Sequence, residues 1–144
     1  MASDELTGVA EAVVEELRRR GHDPVLHGAL AEDERDDWAW ASERAARDVV
    51  DGSADQAVVC CWTGTGASIA ANKVPGVRAA LCGDAETARG ARTWNDANVL
   101  ALSLRSTSRA VLEELLDAWF DAAPSDDPDD LANVHHLEEI GRRV

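Results

Sequence analysis

Apolar residues along the chain follow two spacings that alternate. Continuous apolar runs are typical of strands buried in a parallel sheet, whereas apolar residues that recur every three or four positions indicate one face of a helix. The runs predict strands at 24–30, 57–61, 77–82 and 98–104. The helical spacing predicts helices at 9–20, 38–49, 84–92 and 108–121, and a short helix that ends at Ala71. This alternation indicates an α/β fold with a mainly parallel sheet covered on both faces.

Two polar segments interrupt the alternation. Residues 31–37 predict an acidic loop before the second helix. Residues 123–130 contain two prolines and four aspartates, which is a composition typical of a linker. We therefore predict one main domain over residues 1–122, followed by an acidic linker and C-terminal arm over residues 123–144 whose tail can be helical.

Composition and charge narrow the class of protein. A chain of 144 residues with 45% apolar and 29% charged residues fits one ordinary globular domain. The formal net charge of −14 repels phosphate backbones, so we expect no nucleic-acid partner. No apolar run approaches the roughly 18 residues of a membrane span, and we expect neither a membrane segment nor a signal peptide. The chain has three cysteines, and this odd count, with Cys60 directly before Cys61, argues against a disulfide framework. Reduced thiols and a cytoplasmic location are therefore expected. The Cys60-Cys61 pair also lacks C-x-x-C spacing, and with Cys82 as the third cysteine we expect no bound metal.

A glycine-rich turn carries the candidate chemistry. It follows the strand that ends at Cys61, precedes a helix and contains Gly64 and Gly66. Ligands of open α/β sheets bind at the carboxyl ends of the strands, and the free N–H groups of a helix start suit an anion such as phosphate. A cysteine in this position is favoured as the reactive thiolate. The turn is neither a Walker A loop nor a complete dinucleotide-binding fingerprint, so a simple tight turn with a buried cysteine remains an alternative.

Two stretches resemble a known family. Residues 63–82 read TGTGASIAANKVPGVRAALC, and residues 95–102 read NDANVLAL. Both are similar to the signatures of the ribose-5-phosphate isomerase B / galactose-6-phosphate isomerase family. The resemblance implies a Rossmann-like three-layer αβα sandwich with a nominally five-stranded sheet. It also implies a homodimer with active sites at the subunit interface, which interconverts an aldose phosphate and a ketose phosphate without a metal or organic cofactor.

The resemblance assigns roles to residues of this chain. Cys61 aligns with the base that moves a proton between C1 and C2 of the open-chain sugar through an enediolate, and Thr63 aligns with a threonine that assists. The loop that holds Gly64, Gly66 and Ser68 would bind the substrate and its oxyanion. The other implied substrate contacts are dispersed along the chain, at Asp4, Trp94, Asn95 and His136.

Several positions depart from the family pattern. Trp94 stands where the family has a histidine that opens the sugar ring, and tryptophan has no acid–base role. Trp62 replaces a glycine, and the phosphate-binding arginines of the family's tail correspond to Ala132 and to His135 or His136. These departures point to a different sugar, or to one without a phosphate in the usual position.

The tryptophans allow two interpretations. They could form a stacking surface for a sugar ring, or they could pack in the core or in a dimer interface. The residues concerned are Trp38, Trp40, Trp62 and Trp94.

The start of the chain is unusual for this family. Only Met1 and Ala2 precede the Ser3-Asp4 pair, where the family has a complete first strand. In a doubly wound sheet of order 2-1-3-4-5 that strand is central. We therefore expect a first strand that is truncated or missing, with a true start further upstream or a sheet that closes around a stub.

The sequence thus favours a sugar-phosphate isomerase in which Cys61 is the base. Two alternatives stay open at this point. One is a catalytically impaired relative that binds a sugar or an anion and acts as a sensor or partner subunit. The other is a nucleotide-binding module, which rests on the glycine-rich turn alone.

Overall fold

The computed structural model describes residues 1–142. Strands and helices alternate in it as the apolar spacings predict, and the last two residues of the predicted arm lie outside the described part. The elements are, in chain order, β1 (Ala2–Ser3), α1 (Ala10–Arg19), β2 (His27–Gly28), α2 (Trp38–Asp51), β3 (Ala57–Cys61), α3 (Thr65–Asn72), β4 (Ala79–Leu81), α4 (Ala85–Asn95), β5 (Val99–Ser103), α5 (Arg109–Asp121) and α6 (Pro128–Arg142).

The helices cover both faces of one parallel sheet, as expected of a Rossmann-like αβα sandwich. α1, α4 and α5 pack on one face, and α2 and α3 pack on the other. Because successive side chains of a strand point to opposite faces, β5 contributes Leu100 and Leu102 to the first face and Val99 and Ala101 to the second.

The order of the strands differs from the predicted order 2-1-3-4-5. The sheet runs β2-β1-β3-β5-β4, and all of its pairings are parallel. β5 lies between β3 and β4 because it is five residues long and almost wholly buried, and so it can be paired on both sides. β4 has three residues and Leu81 is exposed, which suits an edge.

The short first strand is paired rather than missing. Ala2 lies opposite His27 of β2 and Val59 of β3, and Ser3 lies opposite Gly28 and Cys60. The sheet therefore closes around a two-residue strand, which was one of the expected outcomes. Ser3 ends β1 beside the carboxyl end of β3, and this brings the loops that follow both strands together.

The tail is helical, as predicted. α6 begins at Pro128 within the predicted linker and packs against α4. An ion pair between Arg78 and Glu138, with an N···O distance of 2.6 Å, ties it to the start of β4. Among residues 1–142, no helix has the length and hydropathy that a membrane span requires.

Candidate active site

The glycine-rich turn lies at the carboxyl edge of the sheet. Cys61 ends β3, and the Gly64 N–H donates to its carbonyl at 3.2 Å, which reverses the chain. Gly64 has φ of +75° and precedes the first helical residue, Thr65. The Leu104 N–H, just beyond β5, donates to the same Cys61 carbonyl at 3.0 Å. The turn is thus fixed by β3, β5 and α3 together.

Both glycines of the turn are required by close neighbours. A Cβ on Gly64 would lie 2.5 Å from Cδ1 of Leu81 and 2.8 Å from the carbonyl carbon of Leu102. A Cβ on Gly66 would lie 2.9 Å from the indole of Trp38. The positive φ of Gly64 disfavours other residues as well. A side chain at either position would therefore force its neighbours to move.

Cys61 is placed where a thiolate would be stabilised. Its side chain is only 5% exposed, and its sulfur accepts a hydrogen bond from the backbone N–H of Ala67 at 3.4 Å. That N–H belongs to the first turn of α3, where the helix dipole favours negative charge. Burial, by contrast, raises the pKa of Cys60 to about 12 and that of Cys82 to about 11, so both of these remain neutral thiols.

The turn also carries polar groups close to Cys61 in the chain. The hydroxyls of Thr63 and Thr65 lie 2.7 Å apart, and both residues are exposed. The Ser68 N–H donates to the Gly64 carbonyl at 3.0 Å, so its backbone is already committed to the helix. The N–H groups of Thr65 and Gly66 belong to the helix start, where no intrahelical acceptor exists. They can therefore donate to a developing oxyanion.

Asp4 carries an unpaired buried oxygen at this edge. It follows β1, and its Oδ1 has no hydrogen-bond partner among the described residues. Burial raises the pKa of Asp4, and the charges of Glu5 and Asp36 raise it further. A hydrogen bond from its own backbone N–H lowers the pKa but does not offset these effects. A buried carboxylate oxygen without a donor is costly. Asp4 is thus suited to accept hydrogen bonds from hydroxyl groups of a ligand.

Arg105 is a candidate that sequence reasoning missed. It lies just beyond β5, and its backbone N–H donates to the carbonyl of Trp62 at 2.9 Å. It forms no ion pair with any residue in the described range 1–142. The available signal was its position directly after the carboxyl end of a buried strand. An unpaired guanidinium there is suited to a phosphate group.

The tryptophans are exposed, so the alternative that they pack in the core of the chain is wrong. Trp38, Trp40, Trp62 and Trp94 keep 44–56% of their surface accessible. Trp38 lies against Gly66, and Trp62 lies in the glycine-rich turn itself. Trp40 instead stacks under the guanidinium of Arg35, whose central carbon is 3.5 Å from the ring centroid.

Trp94 and Asn95 lie at the opposite edge of the sheet. They form the last turn of α4, which runs back from the carboxyl end of β4. The carbonyl of the next residue, Asp96, accepts a hydrogen bond from Nε of Arg78 at 2.8 Å, and Arg78 directly precedes β4. Strands of five residues span roughly 15 Å. Within one chain, therefore, these two residues lie far from Cys61.

His136 belongs to this second group. It is exposed on α6, which packs against α4, and its Nδ1 lies 3.1 Å from a carboxylate oxygen of Glu139. The structure therefore divides the predicted site residues between two edges. The carboxyl edge holds Asp4, Cys61, Thr63, Gly64, Gly66 and Ser68, and the other edge holds Trp94, Asn95 and His136. Within residues 1–142, no three His, Cys, Asp or Glu side chains converge as metal ligands would.

Comparison with known proteins shows the family of this chain. A family model described as ribose/galactose isomerase matches residues 1–136. The chain belongs to this family.

Individual relatives differ in the sugars that their names specify. Galactose-6-phosphate isomerase subunit LacB of Clostridium acetobutylicum is 37% identical over 110 residues, which cover 76% of this chain and 63% of that protein. Ribose-5-phosphate isomerase B of Escherichia coli is 36% identical over 110 residues, which cover 76% of this chain and 73% of that protein. Thus the chain spans less than two thirds of the length of the clostridial subunit.

The solved structures confirm the fold. Ribose-5-phosphate isomerase B of Clostridium thermocellum matches with a TM-score of 0.85 at 33% identity, over 92% of this chain and 88% of that one. The family resemblance and the Rossmann-like sandwich predicted from the sequence are therefore both confirmed.

Proposed function

We propose that this protein is an aldose–ketose isomerase that acts on a sugar phosphate, with Cys61 as the base. The observation that carries the proposal is the hydrogen bond from the Ala67 N–H to the Cys61 sulfur at the start of α3. This contact favours the thiolate. The names of the relatives support the reaction class and leave the sugar open.

The proposed reaction moves two protons, one between the carbons C2 and C1 and one between their oxygens, without any net oxidation. The Cys61 thiolate takes the proton from C2 of the open-chain aldose, and the electron pair of that C–H bond forms the enediolate. The resulting thiol returns that proton to C1, while the hydroxyl of Thr63 relays a second proton from the oxygen on C2 to the oxygen on C1. The N–H groups of Thr65 and Gly66 stabilise the negative charge on the oxygen.

Binding groups surround this reacting centre. The carboxylate of Asp4 accepts hydrogen bonds from sugar hydroxyls, and its unpaired Oδ1 supports this role. Arg105 binds the phosphate. This role is supported by the lack of an ion-pair partner for Arg105 among residues 1–142. Because all three cysteines are free thiols, a reducing cytoplasmic setting suits the protein.

We further propose that the complete site forms between two copies of the chain. The predicted contacts Trp94, Asn95 and His136 lie at the edge opposite Cys61, so only a second copy can bring them to it. Apolar side chains exposed near both edges could be covered in such a homodimer, and they include Ile69, Leu81, Trp94, Leu137 and Ile140.

Conversion of a sugar panel tests the activity. Aldose and ketose phosphates with four, five or six carbons are incubated with the protein, and both members of each pair are followed by NMR. We expect interconversion of at least one pair. Tight binding without any conversion would instead identify a catalytically impaired binding relative, and no binding at all would contradict both functions.

A mixing experiment tests the shared site. Cys61→Ala and Asn95→Ala should each be inactive as homodimers. In a mixed dimer, one of the two sites regains both native residues, so random reassociation should restore about one quarter of the wild-type activity. If mixing restores nothing while mixed dimers demonstrably form, the two residues do not share a site.

A further inference from the structure

His27 has both ring nitrogens against carboxylates. Its Nε2 lies 2.7 Å from Oδ2 of Asp48, and its Nδ1 lies 3.2 and 3.3 Å from the two carboxylate oxygens of Glu34. Only 12% of the side chain is exposed. Ionised carboxylates accept hydrogen bonds but cannot donate them, and neutral imidazole carries one N–H. Both contacts are therefore satisfied together only when His27 is the imidazolium.

Glu34 connects this histidine to the acidic loop, residues 31–37. Besides His27, it accepts hydrogen bonds from the Gly28 N–H at 3.0 Å and from the Arg44 guanidinium at 3.1 Å. Burial opposes its ionisation. The hydrogen bonds from Gly28 and His27, with the charges of His27 and Arg44, outweigh that effect and lower the pKa of Glu34. Glu34 thus anchors the loop to β2 and α2 at once.

The acidic loop lies next to the candidate active site. It leads directly into Trp38, whose indole lies so close to Gly66 that a Cβ there would be 2.9 Å from the ring. The charge of Asp36, in the same loop, contributes to the raised pKa of Asp4. A change in the position of the loop would therefore affect both the oxyanion-binding turn and the predicted sugar-binding carboxylate of Asp4.

We propose that the His27 imidazolium is a positioning residue, which fastens the acidic loop through Glu34 and so holds Trp38 on the catalytic turn. When His27 loses its proton, one of its two carboxylate contacts becomes repulsive. The loop then loosens from Gly66, and activity falls when His27 is neutral. For the activity readout, this inference rests on the proposed isomerase function.

Other charged groups near His27 must be separated from it in a test. Asp48 faces it from α2, and Glu34 and Arg44 face it from the loop and α2. The Met1 amino group interacts with Asp48, and burial lowers its pKa, so its protonation must be separated from that of His27. A His27→Gln variant removes the imidazole and leaves these groups in place. Any pH dependence that remains in it belongs to them.

Hydrogen exchange of the loop tests the inference without using activity. Exchange of residues 31–40 is followed by mass spectrometry at several pH values between about 6 and 8.5, and variants are compared at equal pH. In the wild type, protection of the loop should fall by about tenfold across this range, as expected for the loss of one charged hydrogen bond. In His27→Gln, protection should be low throughout and independent of pH.

Two further variants keep the outcome decisive. His22→Gln removes an exposed histidine that stacks on Phe120, and it should behave like the wild type. Glu34→Gln retains an oxygen for the Gly28 N–H but removes the ion pair, so its loop should also lose the pH dependence of protection. This variant replaces His27→Gln in the test if His27→Gln fails to fold. Wild-type protection in either Glu34→Gln or His27→Gln would overturn the proposal.

The catalytic readout separates this inference from the proposed function. If the protein isomerises a sugar phosphate, kcat/KM of the wild type should decline on the alkaline side, and His27→Gln should lack that decline. If no sugar is converted, the proposed function fails. The exchange experiment still decides whether His27 positions the loop.

Discussion

Cys60 and Cys61 are neighbours in β3, yet their side chains lie on opposite faces of the sheet. Cys60 belongs to the apolar cluster under α1, α4 and α5, and Cys61 belongs to the cluster under α2 and α3. Burial raises the pKa of Cys60 to about 12, so it is a neutral thiol at physiological pH. Only the Cys61 sulfur accepts an N–H from the start of α3. Two adjacent cysteines therefore have different chemical capacities.

The neighbouring cysteines form a matched pair for mutagenesis. Cys61→Ala should lower turnover by about 10²–10⁴-fold, which is the usual contribution of a positioned base. Cys60→Ala should retain turnover and cost about 1 kcal/mol of stability through the cavity that it leaves. Steady-state assays and urea denaturation measure the two effects. Equal loss of turnover in both variants would contradict the assignment of Cys61 as the base.

Alanine substitutions at Gly64 and Gly52 distinguish the effect of a close contact from the effect of a left-handed backbone conformation. Both have positive φ, but a Cβ on Gly52 would meet no atom within 4 Å, whereas one on Gly64 would overlap the backbone of Leu102. Both alanine variants carry a left-handed strain of about 1–2 kcal/mol. Gly64→Ala should lose about 1–3 kcal/mol more, and most of its turnover, because the loop must shift. Equal losses of unfolding free energy would show that the close contact does not matter.

Asp4 should favour function at the expense of stability. Burial raises its pKa, so the folded state holds the proton more tightly than the unfolded state does. Stability therefore falls as the pH rises from 3.8 through this raised pKa. Asp4→Asn should abolish that fall and should reduce kcat/KM by about tenfold or more, because a charged hydrogen bond to substrate is lost.

The same measurements on an exposed aspartate provide the control for Asp4. Asp126→Asn should change neither the thermal midpoint nor kcat/KM. If Asp4→Asn lowers stability at neutral pH while kcat/KM is unchanged, the carboxylate has a structural role instead of a substrate-binding one.

Glu16 stabilises the protein in a defined pH range. It is buried and accepts hydrogen bonds from Arg19, Arg20 and Arg109, and these lower its pKa from 4.5 to about 2. Its contribution is therefore complete above pH 4.5 and is lost as the pH falls towards about 2, because the unfolded state binds the proton first. The gap in thermal midpoint between the wild type and Glu16→Gln should be largest at neutral pH and should narrow over this range.

An exposed neighbour on the same helix controls for Glu16. Glu15 forms an ion pair with Arg109 at 2.9 Å, and most of its side chain is exposed. Surface ion pairs contribute little, so Glu15→Gln should leave the midpoint nearly unchanged at every pH. A gap for Glu16→Gln that stays constant from pH 7 to pH 3 would contradict the assigned pKa.

Local patterns in the sequence predicted the elements but not their arrangement. The apolar runs identified β3 and β5 because buried parallel strands are continuously apolar. Strand order depends on which edges pair, and no local spacing encodes that. The predicted strand order 2-1-3-4-5 is therefore wrong, because the short, partly exposed β4 lies at the edge of the sheet.

The candidate site was predictable where its residues are close in sequence. The strand, turn and helix pattern pointed to Cys61 and Gly64, and the family resemblance added Thr63. The contact of Trp38 with Gly66 and that of His27 with Asp48 join segments more than 20 residues apart, so only the folded chain brings them together. Arg105 was missed because a single arginine after a strand is an ordinary surface feature.

Solvent deuterium exchange at the sugar carbons tests the central claim most directly. The protein is incubated in heavy water with aldose and ketose phosphates and with the corresponding free sugars, and label at C1 and C2 is followed by proton NMR. Exchange registers enediolate formation even when net conversion is unfavourable. We predict label in at least one sugar phosphate with the wild type and with Cys60→Ala, and none with Cys61→Ala. Absence of label from every sugar, or undiminished label with Cys61→Ala, would contradict the account.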